Sequence, residues 1–201
     1  MKRPIQSVLA LAVAATLLGW AFAPRIAHAD DHQDKKKGKM VFASLSGFNE
    51  VHFIGGGPAL RSAISTQAKG SFQAKIDDIH QLIEYTLSYS GLEGTVTQSH
   101  IHLGLRHSVG GITVWLCQTA GTPAPVSVAA ATPVCPEEGT VIGTIAPEQV
   151  LTAAGQGLEA GQFEELVRAI RAGATYANVH STLFPPGEIR GQIHLGKKNN
   201  R

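Results

Sequence analysis

The sequence predicts an all-β fold, an antiparallel sandwich with one short helix, and three observations predict it. Short runs of β-favouring residues recur along the chain, the clearest alternating in polarity. The 201 residues include 22 Gly and 10 Pro, many of them between those runs. One stretch alone, near residues 163–172, carries apolar residues at helical spacing. Runs of period two separated by turn residues are the pattern of half-buried strands.

Taken in order, the chain begins with a charged start (Met1, Lys2, Arg3), a largely apolar run from Ile5 to Phe22, and Ala27-His28-Ala29 before Asp30. That layout predicts a secretory signal peptide over 1–29, cleaved before Asp30, rather than a membrane span. No other apolar run approaches the roughly 18 residues that a spanning helix needs. Residues 30–39 (DDHQDKKKGK) read as a charged flexible tether. Strands follow at 40–45, 70–76, 82–89, 96–103, 112–116, 140–145, 174–180 and 188–195. In the third, Ile83, Tyr85, Leu87 and Tyr89 face one way, with Glu84, Thr86 and Ser88 opposite. In the last, Ile189, Ile193 and Leu195 oppose Glu188, Arg190, Gln192 and His194. Phe163, Leu166, Val167 and Ile170 stand at i, i+3, i+4 and i+7, and Gly173 follows where a helix would stop. Pro147 to Leu151 predicts a shorter turn. Residues 196–201 form a basic tail, leaving one domain over 40–195.

Charge excludes one class of function. Removing Lys2, Arg3 and Arg25 from the 17 Lys and Arg leaves 14 against 15 acidic residues, a mature net charge near −1. A chain so balanced lacks the basic footprint of a nucleic-acid binder. Cys117 and Cys135 are the only cysteines. In an oxidising compartment, secreted or periplasmic, two thiols pair as one disulfide. Closing a loop of that size stabilises by roughly 3 kcal/mol in the chain-entropy account. A thiolate metal ligand or a reactive cysteine is the competing reading, and no CxxC or nearby paired His supports it.

No Gly-rich phosphate loop, G-x-S-x-G elbow or HExxH helix is present, and the adjacent acids Glu137-Glu138 and Glu164-Glu165 have no facing partner. No hydrolase is indicated and no catalytic residue is assigned. Ser99-His100-Ile101-His102-Leu103-Gly104 is different. On a strand, His100 and His102 project from one face, their Cα atoms about 6.7 Å apart, while Ile101 and Leu103 face the core. Tyr176, Asn178 and His180 share one face of a later strand, and His194 in the last strand is a possible fourth ligand. Imidazoles at such spacing can converge on copper or zinc, and the Irving–Williams order favours copper(II) among divalent ions. Exposed or hydrogen-bonded histidines are the plainer alternative. His32, His52, His80 and His107 fall in the tether or in turns.

Four motifs in order, Phe42-Ala43-Ser44-Leu45-Ser46-Gly47-Phe48-Asn49-Glu50-Val51, Ser99 to Gly104 with Gly110-Gly111-Ile112, Ala174 to His180, and Pro186 to Ile193, resemble the CHRD (chordin-type) domain in its stand-alone exported bacterial form. The resemblance spans residues 40–195 and implies an immunoglobulin-like, Greek-key β-sandwich in an extracytoplasmic setting. It implies no settled activity. In chordin, growth-factor binding is attributed to separate cysteine-rich repeats, and this chain has two cysteines. The HxH, His180 and the Gly-Glu-Ile-Arg-Gly-Gln run also resemble copper/zinc superoxide dismutase, without its zinc loop. Two functions follow as expectations. The leading one is a non-enzymatic binding module whose face of His100, His102 and His180 meets an extracytoplasmic protein, a surface glycan or a metal ion. The alternative is a metal-dependent redox protein in which Arg190 draws in an anion.

Overall fold

The computed structural model describes residues 39–53 and 61–196. The expected signal peptide, the tether up to residue 38 and residues 197–201 of the basic tail lie outside the described residues.

The eight expected strands are all present, as β1 (Lys39–Ser46), β4 (Lys69–Asp77), β5 (Leu82–Ser90), β6 (Val96–Leu103), β7 (Gly111–Cys117), β8 (Gly139–Ile145), β9 (Thr175–Ser181) and β10 (Ile189–Gln192). Two short pairs of residues, β2 (His52–Phe53) and β3 (Arg61–Ser62), make a small separate ladder. The main sheet runs β7-β6-β9-β10-β1-β4-β5-β8, every neighbour antiparallel. It curls into a nearly closed sandwich whose two ends, β7 and β8, approach each other. Tyr85 of β5 crosses the interior to donate to the Leu116 carbonyl of β7 at 2.6 Å.

Alternation builds the core. Val41, Ala43 and Leu45 of β1, Phe72, Ala74 and Ile76 of β4, and Ile83, Tyr85, Leu87 and Tyr89 of β5 line one wall. Ile101, Val114, Leu116, Ala177, Val179 and Ile189 line the other. The expected helix, α2 (Phe163–Arg171), contributes all four apolar residues read from its spacing to the same core. Its acids Glu164 and Glu165 lie in the first turn and Arg168 and Arg171 in the last, which suits the helix dipole. Gly173, at φ +69°, stops it in the left-handed conformation that glycine adopts freely.

The segment between the cysteines is ordered, and the last strand needs one correction. The Cys117–Cys135 disulfide is formed, and the loop it closes holds one helical turn, α1 (Val126–Ala129). Gln118 organises that loop by donating from Nε2 to the carbonyls of Ala129 (2.7 Å) and Thr132 (2.8 Å). The last strand, read as continuous over 188–195, breaks at Ile193, whose N–H turns to the Thr175 carbonyl. The remainder, β11 (His194–Leu195), pairs with β1 instead.

An antiparallel sheet with one core face normally turns its other face to water. Here β9 is buried at all seven positions. Thr175, Ala177, Val179 and Ser181 alternate with Tyr176, Asn178 and His180, and irregular segments cover the second set. These are the stretch around Gly47–Val51, the loop 104–110 and the loop 182–188, each hydrogen-bonded to side chains of that outer face. The sheet thus separates an apolar interior from a second buried layer made of polar side chains.

Candidate metal centre

Three strands supply that layer. From β6 come His100 and His102, from β9 Tyr176, Asn178 and His180, and from β10 Arg190. In register, His100 opposes Asn178 and His102 opposes Tyr176. His180, two residues past Asn178, is therefore a diagonal neighbour of His100, within reach across the ladder. One ligand-capable nitrogen from each of His100, His102 and His180 lies within 4.8 Å of the others. The rings are 0%, 7% and 5% exposed.

Backbone carbonyls orient two of the rings. His102 Nδ1 lies 3.0 Å from the Gly110 oxygen, and His180 Nδ1 lies 2.8 Å from the Pro185 oxygen. A carbonyl only accepts, so in each neutral ring Nδ1 carries the proton and Nε2 keeps its lone pair. His100 has no such carbonyl. Its Nδ1 stands 3.1 Å from His180 Nε2 and donates to it. The Nε2 atoms of His100 and His102 are buried without a hydrogen-bond partner. Buried nitrogens of this kind are costly and uncommon in folded proteins.

Electrostatics keep the rings neutral. Burial, with His180 and His102 beside it, holds the His100 imidazole well below 6.5. Burial brings His102 down to about 4, opposed by the Gly110 carbonyl and aided by His180 and Arg190. Burial also lowers His180, partly offset by the Pro185 carbonyl. At neutral pH the three therefore offer lone pairs rather than protons.

Aromatic and polar neighbours pack the cluster. Trp115 of β7 meets the His100 ring edge to face at 4.3 Å between centroids. Tyr176 stacks on His102 at 4.7 Å with planes 1° apart. Arg190, 2% exposed, covers the Tyr176 ring and donates to the carbonyls of Ser108 (2.7 Å) and Leu105 (3.0 Å). Glu188, 0% exposed, accepts from Thr66 Oγ1 (2.8 Å), the Glu93 N–H (2.8 Å) and Ser181 Oγ (2.6 Å), pinning both ends of the loop that carries Pro185. Glu50 accepts from Asn178 Nδ2 at 2.6 Å. Burial raises its pKa against the pull of the Val51 N–H and Arg190.

The structure brings together His100, His102 and His180, the three residues that strand alternation placed on neighbouring faces. It does not bring His194. The break at Ile193 carries that residue onto β11 opposite Phe42, where it is exposed and its Nδ1 lies 3.3 Å from the Gln192 carbonyl. Arg190 faces no open approach for an anion, because its guanidinium is buried over Tyr176 and occupied by two carbonyls. Glu50 and Trp115 were not singled out as parts of the site by sequence, since one is placed by a covering loop and the other by a neighbouring strand. Glu188, read by alternation on the polar face with Arg190, binds Thr66, Glu93 and Ser181.

Fold and site together define a nearly closed antiparallel sandwich with a buried histidine layer on its outer face. The family model for the CHRD domain matches residues 41–193, and the chain belongs to that family. No curated protein and no solved structure matches the chain significantly. Among the described residues, no helix is long and apolar enough to cross a membrane.

Proposed function

We propose that this protein is an exported, non-enzymatic CHRD-domain binding module that holds a transition-metal ion through His100, His102 and His180. The observation that carries this reading is the pair of fixed tautomers. The carbonyls of Gly110 and Pro185 take the Nδ1 protons of His102 and His180, which leaves both Nε2 lone pairs on the cluster side. A second partner on the far nitrogen is how ligating histidines are commonly oriented. Bonds of roughly 2.0–2.1 Å put three ligating nitrogens about 3.5 Å apart, a value that lies between the 3.1 Å of the His100–His180 pair and the 4.8 Å within which all three nitrogens stand here. His100 completes the set when its mobile proton moves to Nε2. The metal would cross-link β6 and β9 and brace the covering loops.

The redox alternative draws less support. It relied on Arg190 to attract an anion, and Arg190 is committed to Tyr176 and two carbonyls. Export is supported by the formed disulfide, which persists in oxidising compartments.

Calorimetric titration of the metal-free protein with zinc and copper tests the site. The expected result is one ion bound with Kd below about 10 μM, weakened at least tenfold in His102→Ala. Failure to bind any ion, or equal binding by the variant, overturns it.

A further inference from the structure

We infer that the three-histidine site selects the cuprous ion over zinc(II) and copper(II), an inference that rests on the metal-binding reading above. Three features of the site point the same way.

The first is ligand number. Among the described residues one group of three nitrogen donors converges, and no further His, Cys, Asp or Glu joins it. His194 is on the surface, and both cysteines are consumed in the disulfide. Zinc sites are nearly always four-coordinate, and copper(II) prefers tetragonal surroundings. A d10 monovalent copper ion is content with three nitrogens in a plane.

The second is charge. All three donors are neutral imidazoles, and the charge packed behind His102 is positive. His102 lies against Tyr176, and Arg190 lies over that same ring, its guanidinium carbon 3.3 Å from the centroid. The cost of moving an ion out of water scales with the square of its charge, so a dication pays about four times what a monocation pays. Divalent ions recover that cost from anionic ligands, and this cluster contains none.

The third is enclosure. With rings 0%, 7% and 5% exposed, and with Trp115 and Tyr176 against two of them, a fourth ligand from solvent has little access. Hydroxide or chloride would otherwise both complete the coordination of a divalent ion and neutralise it. A dry, neutral, three-nitrogen pocket removes both remedies at once. The Irving–Williams preference for copper(II) compares divalent ions with one another and does not enter this competition.

The test is anaerobic competition of the metal-free full chain against bicinchoninate for copper(I), with ascorbate as reductant, beside chelator competitions for zinc(II) and copper(II). One copper(I) per chain is expected, held at least 100-fold more tightly than either divalent ion. His102→Met is the diagnostic variant. It keeps a neutral ligand, and a soft thioether suits copper(I) but is not among the thiolate, imidazole and carboxylate groups that hold zinc, so copper(I) affinity should fall less than tenfold while zinc binding disappears. Zinc or copper(II) bound as tightly as copper(I) overturns the selectivity and leaves the metal-binding reading standing. No ion bound by the folded native protein overturns both.

Discussion

Arg190 lies over the Tyr176 ring, its guanidinium carbon 3.3 Å from the centroid, and His102 stacks on the same ring with planes 1° apart. A guanidinium, a phenol and an imidazole from three adjacent strands thus form one stack. Its cationic end is also clamped to the carbonyls of Ser108 and Leu105. The loop that supplies the Gly110 oxygen to His102 is therefore held by the residue that packs behind His102.

Arg190→Lys should uncouple this arrangement. An ammonium cannot both cover the ring and reach two carbonyls in a fixed fork. A loss of about 2 kcal/mol in urea unfolding is expected, of the order of one charge-assisted hydrogen bond plus a buried cation–π contact. Copper or zinc affinity should fall with it, because His102 loses its support. Stability within about 0.5 kcal/mol of the native chain, the usual range of a neutral surface substitution, would show that the stack is incidental.

The metal-free protein should lose stability as pH falls. His100, His102 and His180 all titrate lower in the folded chain than the roughly 6.5 of an unfolded one. Their contribution is fully present above 6.5 and drains away below it. For His102 the loss extends to about pH 4. In that window the unfolded chain binds more protons, so each histidine tilts the equilibrium by up to about 1.4 kcal/mol per pH unit. Glu50, whose pKa is raised by burial, acts in the opposite sense, one group against three. Calorimetric Tm measured from pH 7.5 to 4.5 checks the sign. A flat or rising Tm on acidification would contradict the buried neutral cluster.

Glu188→Ala would strand three donors, Thr66 Oγ1, Ser181 Oγ and the Glu93 N–H. Each hydrogen bond to a charged group contributes about 1.5–3 kcal/mol, and partial rehydration leaves an expected loss of about 3 kcal/mol. Glu188→Gln should recover part of this, since its amide oxygen still accepts. Equal loss in the two variants would show that shape rather than hydrogen bonding matters there.

Export predicts that the mature chain isolated from the extracytoplasmic fraction begins at Asp30. Intact-mass measurement decides it, and retention of Met1 in that fraction would refute the leader.

The strands, the helix and the disulfide were legible because each rests on local signals. Ile83 to Tyr89 alternates, Phe163 to Ile170 repeats every three or four residues, and Cys117 has one possible mate. The pairing of His100 with His102 was legible for the same reason. The burial of their face was not. Asn178, His180 and Arg190 look alike on paper whether water or a loop lies over them, and the covering segments have no period to read. His194 was misplaced because alternation assumes an unbroken strand. Ile193 satisfies its N–H with Thr175, and the chain leaves β9 there to run alongside β1.

The curled sheet works as a partition one residue thick. Ile101, facing the greasy compartment, sits between two imidazoles facing the polar one. Ala177 and Val179 stand in the same relation to Tyr176, Asn178 and His180. The three histidine positions can therefore be changed without touching the apolar core, since 100, 102 and 180 alternate with its residues along β6 and β9. That makes this domain a ready framework for installing other ligand sets, with thioether, carboxylate or thiolate groups exchanged at 100, 102 and 180 while the hydrocarbon side of each strand is left as it is.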